Sequence, residues 1–194
     1  MRRGRRGDDS GAVIVEFALV ASLIVSILFG LIEFGFAWET RLATQNASRA
    51  GARVASSLGD ERDADYNALR SVASALEGVG LGNVEYVMIY KPVDASGTPH
   101  PNCTGTPLTS SPGRCNVYTG NQLVTLAANE TLFQGSCGSA LDGEWCPTNR
   151  QVIQALGPDY LGVYIRLKHD FITGVFGNEM TITDRSVMRL EPGG

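Results

Sequence analysis

One stretch limits what this chain can fold into: Gly11 to Trp38, GAVIVEFALVASLIVSILFGLIEFGFAW. Phe17 to Ile32 carries no charge, and up to Trp38 only Glu33 interrupts the apolar run. A bilayer core is about 30 Å thick and a helix rises about 1.5 Å per residue, so about 20 apolar residues cross it. Residues 12–38 read as one spanning helix. Arg2, Arg3, Arg5 and Arg6 precede it. Basic residues stay on the cytoplasmic side, so the amino terminus is expected inside and everything after Trp38 outside. Phe34, Phe36 and Trp38 place rings at the far end, where an interfacial belt belongs. A cleaved secretory signal competes with this reading, since Gly35-Phe36-Ala37 offers small residues. The apolar region is longer, however, than the roughly 7–15 residues of such a signal.

Two acids interrupt or flank the run. Glu16 and Glu33 are 17 positions apart, which is about 25 Å along a helix. A centred helix puts each a little inside opposite boundaries of the hydrocarbon. Either they snorkel to the headgroups, or an intramembrane acid marks a partner. Snorkelling is the expectation for Glu33 and a partner for Glu16.

Small residues recur every fourth position at Ala18, Ser22, Ser26 and Gly30. Such a stripe lets helix backbones approach closely in lipid. The pattern returns at Ala43, Ala47, Gly51 and Ala55. From Trp38 to Ser57 only Gly51 disfavours helix, at about 1 kcal/mol relative to Ala. One continuous helix from Ala12 to Leu58 follows, some 70 Å long at about 1.5 Å per residue. Its second half, 39–58, is expected to lie outside the membrane, packed on a domain at 59–194. Arg41, Arg49 and Arg53 are expected to be solvated or paired with acids.

The remainder predicts an α+β domain, with helices on a small antiparallel sheet. Asp63 or Asp65 would cap a second helix running to Glu77, with Tyr66, Leu69, Val72, Ala73 and Leu76 on one face. The cluster Asp60, Glu61, Asp63 and Asp65 reads as a solvated helix start. Val84–Tyr90 has strand composition, whereas Pro92–Gly120 reads as loop. Leu123–Asn129 fits strand or short helix, and Thr148–Leu156 a short helix. Tyr160–His169 alternates, with Val163, Ile165 and Leu167 on one face. Met180–Leu190 is the last strand, joined to it by a hairpin connection at Phe171–Gly177.

All four cysteines, Cys103, Cys115, Cys137 and Cys146, fall in the external part. An even count in an oxidising compartment points to disulfides. Three pairings are possible. Cys103–Cys115 with Cys137–Cys146 is preferred, because each closes a polar, Gly-rich loop with little core of its own. The C-x2-C pairs of structural zinc are absent, so no metal is expected.

Catalytic signatures are missing. Neither His100 nor His169 sits in a recognisable arrangement, and there is no G-x-S-x-G, H-E-x-x-H, C-x-x-C or phosphate-cradling loop. Not an enzyme, with no cofactor and no small-molecule substrate, is the expectation. Without residues 1–11 the formal charge falls from −4 to −6, so no nucleic-acid partner is expected either.

The string Gly11-Ala-Val-Ile-Val-Glu16-Phe17, behind a basic leader and at the mouth of a spanning helix, resembles the processing site of type IV pilins and their relatives. More narrowly the chain resembles the TadE-like pseudopilins of tight-adherence pilus systems. The tract Gln45–Ser57 resembles the Ala/Arg-rich helix that follows their membrane span, and Ile182–Pro192 their closing strand. The resemblance implies cleavage by prepilin peptidase between Gly11 and Ala12, removing a leader of residues 1–11. It implies residence in the bacterial cytoplasmic membrane, with other pilins or pseudopilins and pilus platform proteins as partners. Glu16 falls on the family's acid and Phe17 on the aromatic that often follows it. Cleavage would free an ammonium at Ala12 that the Glu16 carboxylate of a neighbour neutralises. The chain is longer and richer in cysteine than a minimal pilin. The alternative is an uncleaved, single-pass anchor carrying an external binding domain, with its ligand surface on the Cys103–Cys146 loops.

Overall fold

The computed structural model describes residues 10–94, 96–105, 108–174 and 177–191. The arginine leader and Pro192 lie outside them, as do two residues of the Phe171–Gly177 connection. Helix α1 runs unbroken over Ser10–Leu58. It stops where the backbone must turn left-handed, at Gly59 with φ +56°. A side chain there would also strike the Glu191 carbonyl, so glycine answers both demands.

Helix α2, Ala64–Leu76, folds back on α1 and buries Tyr66, Ala68, Leu69, Val72 and Leu76. The expected caps are corrected. Asp63 stands at the cap position but makes no bond to the helix amides; its carboxylate accepts from Asn67 Nδ2 at 2.7 Å. Asp65 is not solvated at all. It is fully buried and bonded elsewhere in the domain.

Four strands, β1 (Val84–Tyr90), β2 (Cys115–Thr119), β3 (Tyr160–Asp170) and β4 (Glu179–Arg189), form an antiparallel sheet in the order β2-β1-β3-β4. One face carries Val87, Ile89, Val163, Ile165, Leu167 and Ile182 into a core shared with Ala47, Ala52, Ala55, Leu69 and Val72 of the helices. The architecture is α+β. The opposite face carries Met88, Tyr90, Tyr86 and Tyr164, packed with the cystine of Cys103 and Cys115.

Strand β2 lies inside the stretch that reads as loop. Its five residues follow a tight turn at Ser111–Cys115, and pairing with β1 makes it a strand. Of the ambiguous Leu123–Asn129, the start belongs to a short helix α3 (Gly120–Val124), capped by Thr119 and Gln122, and the rest is a 3₁₀ turn. Another short helix, α4, covers Thr131–Gln134. The single helix expected over Thr148–Leu156 does not form. Two 3₁₀ turns, Pro147–Asn149 and Gln154–Leu156, flank an extended piece. That piece carries Arg150 inward to Asp65. Both preferred disulfides are present, with Cα atoms 6.2 Å apart for Cys103–Cys115 and 5.7 Å for Cys137–Cys146.

The β3–β4 hairpin lies along the second half of α1. Polar side chains on α1 meet it at regular intervals. Glu33 accepts from the amides of Ile172 and Thr173. Thr40 Oγ1 lies 3.1 Å from His169 Nδ1. Ser48 donates to the Asp184 carboxylate, and Ser56 to the carbonyl of Arg189. From Glu33 to Ser56 a helix rises about 34 Å, and the eleven residues of β4 span about the same length at about 3.4 Å each. Hairpin and helix are thus matched in length and pinned at both ends.

Candidate functional site

The buried positions of α1 include a row of Glu33, Ala37, Thr40, Thr44, Ala47, Gly51 and Ala55 at steps of three or four, widened by Ser48, Ala52 and Ser56 beside it. Stepping back by the same interval gives Gly30, Ser26, Ser22 and Ala18. The small-residue stripe therefore continues the face that docks on the domain. In the upper half that face is covered by α2 and the hairpin. In the lower half no described residue covers it: Ala18, Ser22 and Ser26 are exposed and Gly30 is half-buried.

The two serines of the stripe turn their hydroxyls back into the helix. Ser22 Oγ donates to the Leu19 carbonyl at 2.9 Å and Ser26 Oγ to the Ser22 carbonyl at 2.8 Å. Their polarity is satisfied internally, which suits an apolar environment. Around them Ile14, Phe17, Leu23, Ile24 and Leu31 are bare to solvent, Phe17 at 72%. The helix is long and apolar enough to cross a membrane, and none of its most apolar window is buried in the protein.

Gly11 and Ala12 lie in the first turns of α1, and no described residue comes within 4 Å of the position where a Gly11 side chain would be. Glu16 is exposed, four residues after Ala12, with no partner among the described residues. Glu33 departs from the expected snorkelling. It is 1% exposed, its carboxylate turned onto the hairpin amides. Nothing in its sequence neighbourhood signals a partner 139 residues away. Arg41, Arg49 and Arg53 are exposed and form no ion pair among the described residues.

The domain's buried charges serve the fold. Asp65 accepts from Arg150 Nη2 at 2.7 Å, from Tyr118 Oη at 2.8 Å and from Asn116 Nδ2 at 2.9 Å. The Arg150 guanidinium lies 4.3 Å over the Trp145 ring. Burial pushes the Tyr118 phenol well up, and Asp65 beside it adds to this. Burial likewise pushes the Asp142 carboxyl up, against the pull of the Arg62 guanidinium bonded to it. The cluster ties α2, β2 and the 145–150 segment together and is closed to solvent. His100 caps a turn through Nδ1 and His169 is taken by Thr40. Among the described residues no three His, Cys, Asp or Glu side chains gather as a metal site. On the outer sheet face a groove of about 610 Å³ is lined by Tyr86, Tyr164, Arg166 and Arg185.

The bare helix with its small-residue face is the feature that the other described residues leave uncovered. Residues 11–53 match the family model of TadE-like protein. The match begins at Gly11 and runs through the apolar stretch into the domain-docked half of α1. This family is one of tight-adherence pilus-associated proteins, structural rather than catalytic in kind. No curated protein and no solved structure matches the chain.

Proposed function

We propose that this is a minor pilin-like membrane subunit acting in the assembly or structure of a tight-adherence or type IV-like pilus. The observation that carries the reading is the TadE-like match over residues 11–53, lying on a helix whose apolar half is bare. Its uncovered face prolongs the docking face of the other half. In this reading prepilin peptidase cuts between Gly11 and Ala12 at the cytoplasmic face of the bacterial membrane, and the domain stands outside. Phe17, Ala18, Ser22, Ser26 and Gly30 then pack on helices of other pilins, pseudopilins or platform proteins. The new ammonium at Ala12 is neutralised by a neighbour's Glu16. A charge pair in apolar surroundings interacts far more strongly than in water, and pairing removes two costly lone charges.

Intact mass and amino-terminal sequencing of the membrane form test the cleavage: Ala12 first is expected, and an intact leader overturns it. Glu16→Gln tests the pairing. It should leave membrane insertion unchanged and lower recovery of partner subunits on co-purification. Unchanged recovery rejects the role of Glu16.

A second reading draws on the outer-face groove, where Arg185 is an exposed cation beside the stacked rings of Tyr86 and Tyr164. There the chain is an uncleaved anchor presenting a binding domain, and the membrane form keeps Met1.

A further inference from the structure

Ile172 lies two residues past β3, at the start of the β3–β4 connection, and is 72% exposed, as bare as Phe17 on the free helix. Its backbone amide donates to Glu33 at 3.0 Å, and the next amide, of Thr173, donates to the same carboxylate. The start of the connection is thereby fixed to one level of α1. At that level α1 exposes Ile32, Phe36 and Trp38, and β4 begins with Glu179, ion-paired with Lys168 at 2.8 Å, followed by the exposed Met180. From Ala12 to Glu33 a helix rises about 32 Å, close to the roughly 30 Å of a hydrocarbon core. A span that begins near Ala12 therefore ends at Glu33, and carries the start of the connection to the bilayer surface.

A turn entering that layer has a difficulty. The Phe171 amide still reaches the Asn178 carbonyl, but those of Ile172 and Thr173 have no strand partner among the described residues, and an unsatisfied amide is costly away from water. Here the Glu33 carboxylate takes both, and the Ile172 side chain faces outward beside them. We propose that the start of the β3–β4 connection, residues 171–174, is a membrane-contacting foot, with Ile172 seated in the lipid interface beside Ile32 and Phe36 and held there by Glu33. The occupant of this surface is the phospholipid bilayer itself. The domain then touches the membrane at two places, helix and foot, and so has a fixed orientation on it. This rests on α1 as a membrane span and is independent of cleavage and of pilus partners.

The test is tryptophan quenching in the full chain, reconstituted into phosphatidylcholine vesicles with acyl chains brominated near the headgroup. Ile172→Trp is compared with Leu156→Trp, an equally exposed apolar site at the other end of β3. The unsubstituted protein reports on native Trp38, over a constant background from Trp145, which is buried in the domain core. The emission added at position 172 is expected to be blue-shifted and quenched, like that of Trp38, while the emission added at 156 is not. Quenched Trp38 with unquenched emission at 172 overturns the foot and leaves that surface to a protein partner. Unquenched Trp38 in every variant overturns the span, and the foot with it.

Discussion

The Glu33 carboxylate and the Ile172 amide meet at 3.0 Å although 139 positions separate them. Together with Ser56, which donates to the Arg189 carbonyl and accepts from the Glu191 amide, this contact fixes both ends of the hairpin on α1. A helix that is expected to pack against other molecules thereby also acts as the spine of its own domain. Any displacement of α1 is transmitted to β3 and β4 through those bonds.

Glu33→Ala should loosen the lower end of that spine. It strands two backbone hydrogen-bond donors, each costing about 1–3 kcal/mol if left unsatisfied. A net loss of about 2 kcal/mol would speed local exchange of the Ile172 and Thr173 amides roughly 30-fold. Glu33→Gln keeps one good acceptor oxygen and should fall between. Hydrogen exchange in detergent micelles reads both, and equal protection in the native and Ala proteins would remove Glu33 from this role.

Asp65 holds the only carboxylate against a guanidinium that is itself 4% exposed, among the described residues. Breaking such a pair from one side costs about 3–5 kcal/mol, because a buried charge is left alone. Asp65→Ala should therefore lose most of the domain's stability in denaturant. Adding Arg150→Met should recover a large part of it, since the stranded charge is gone. If the double variant is no more stable than the single one, the two side chains are not energetically coupled.

Local pattern made several elements readable in the residues alone. The apolar run, its continuation to Leu58, the strand at Val84–Tyr90 and the closing hairpin all follow from periodicity and composition over ten or so positions. The two cystines close short loops of their own. What escaped reading depends on partners far along the chain. Asp65 looks like one acid among four at a helix start until Arg150, 85 residues on, reaches it. The segment expected as a helix at Thr148–Leu156 is drawn out by the same contact. Strand β2 has five residues and exists because β1 lies beside it. The sequence shows Glu33 as an acid at a membrane boundary. Only the length match between α1 and the hairpin brings the turn amides to it.

Gly51 is another position where local preference and packing oppose each other. Alanine would gain the helix about 1 kcal/mol. A Cβ at Gly51 would fall 2.5 Å from Val72 Cγ2, on a stiff β-branched side chain of α2. Overpacking of this kind costs about 1–3 kcal/mol, so Gly51→Ala should destabilise the domain. Val72→Ala alone leaves a cavity and should destabilise as well. The two together should cost less than the sum, with a coupling of about 1 kcal/mol or more in a double-mutant cycle. Strict additivity in thermal unfolding would show that α1 and α2 shift apart instead.

Tyr90 supplies a pH dependence outside the membrane. Its ring is fully buried on the outer sheet face and its hydroxyl donates to the Gly97 carbonyl at 2.7 Å. Burial pushes this phenol up to about 12, with the nearby Arg185 pulling the other way. The folded value lies above the unfolded one of about 10. The stability linked to Tyr90 is therefore complete below about pH 10 and is lost as pH rises towards 12. Tyr86, also raised by burial to about 12, acts in the same direction. Ultraviolet titration should find these two phenols ionising late, with unfolding following as they do. Tyr90→Phe should lower stability at neutral pH by about 1 kcal/mol, through the Gly97 carbonyl it leaves without a donor. The same variant should flatten the alkaline loss. A Tyr90→Phe protein that unfolds along the native alkaline curve would assign the transition to other groups.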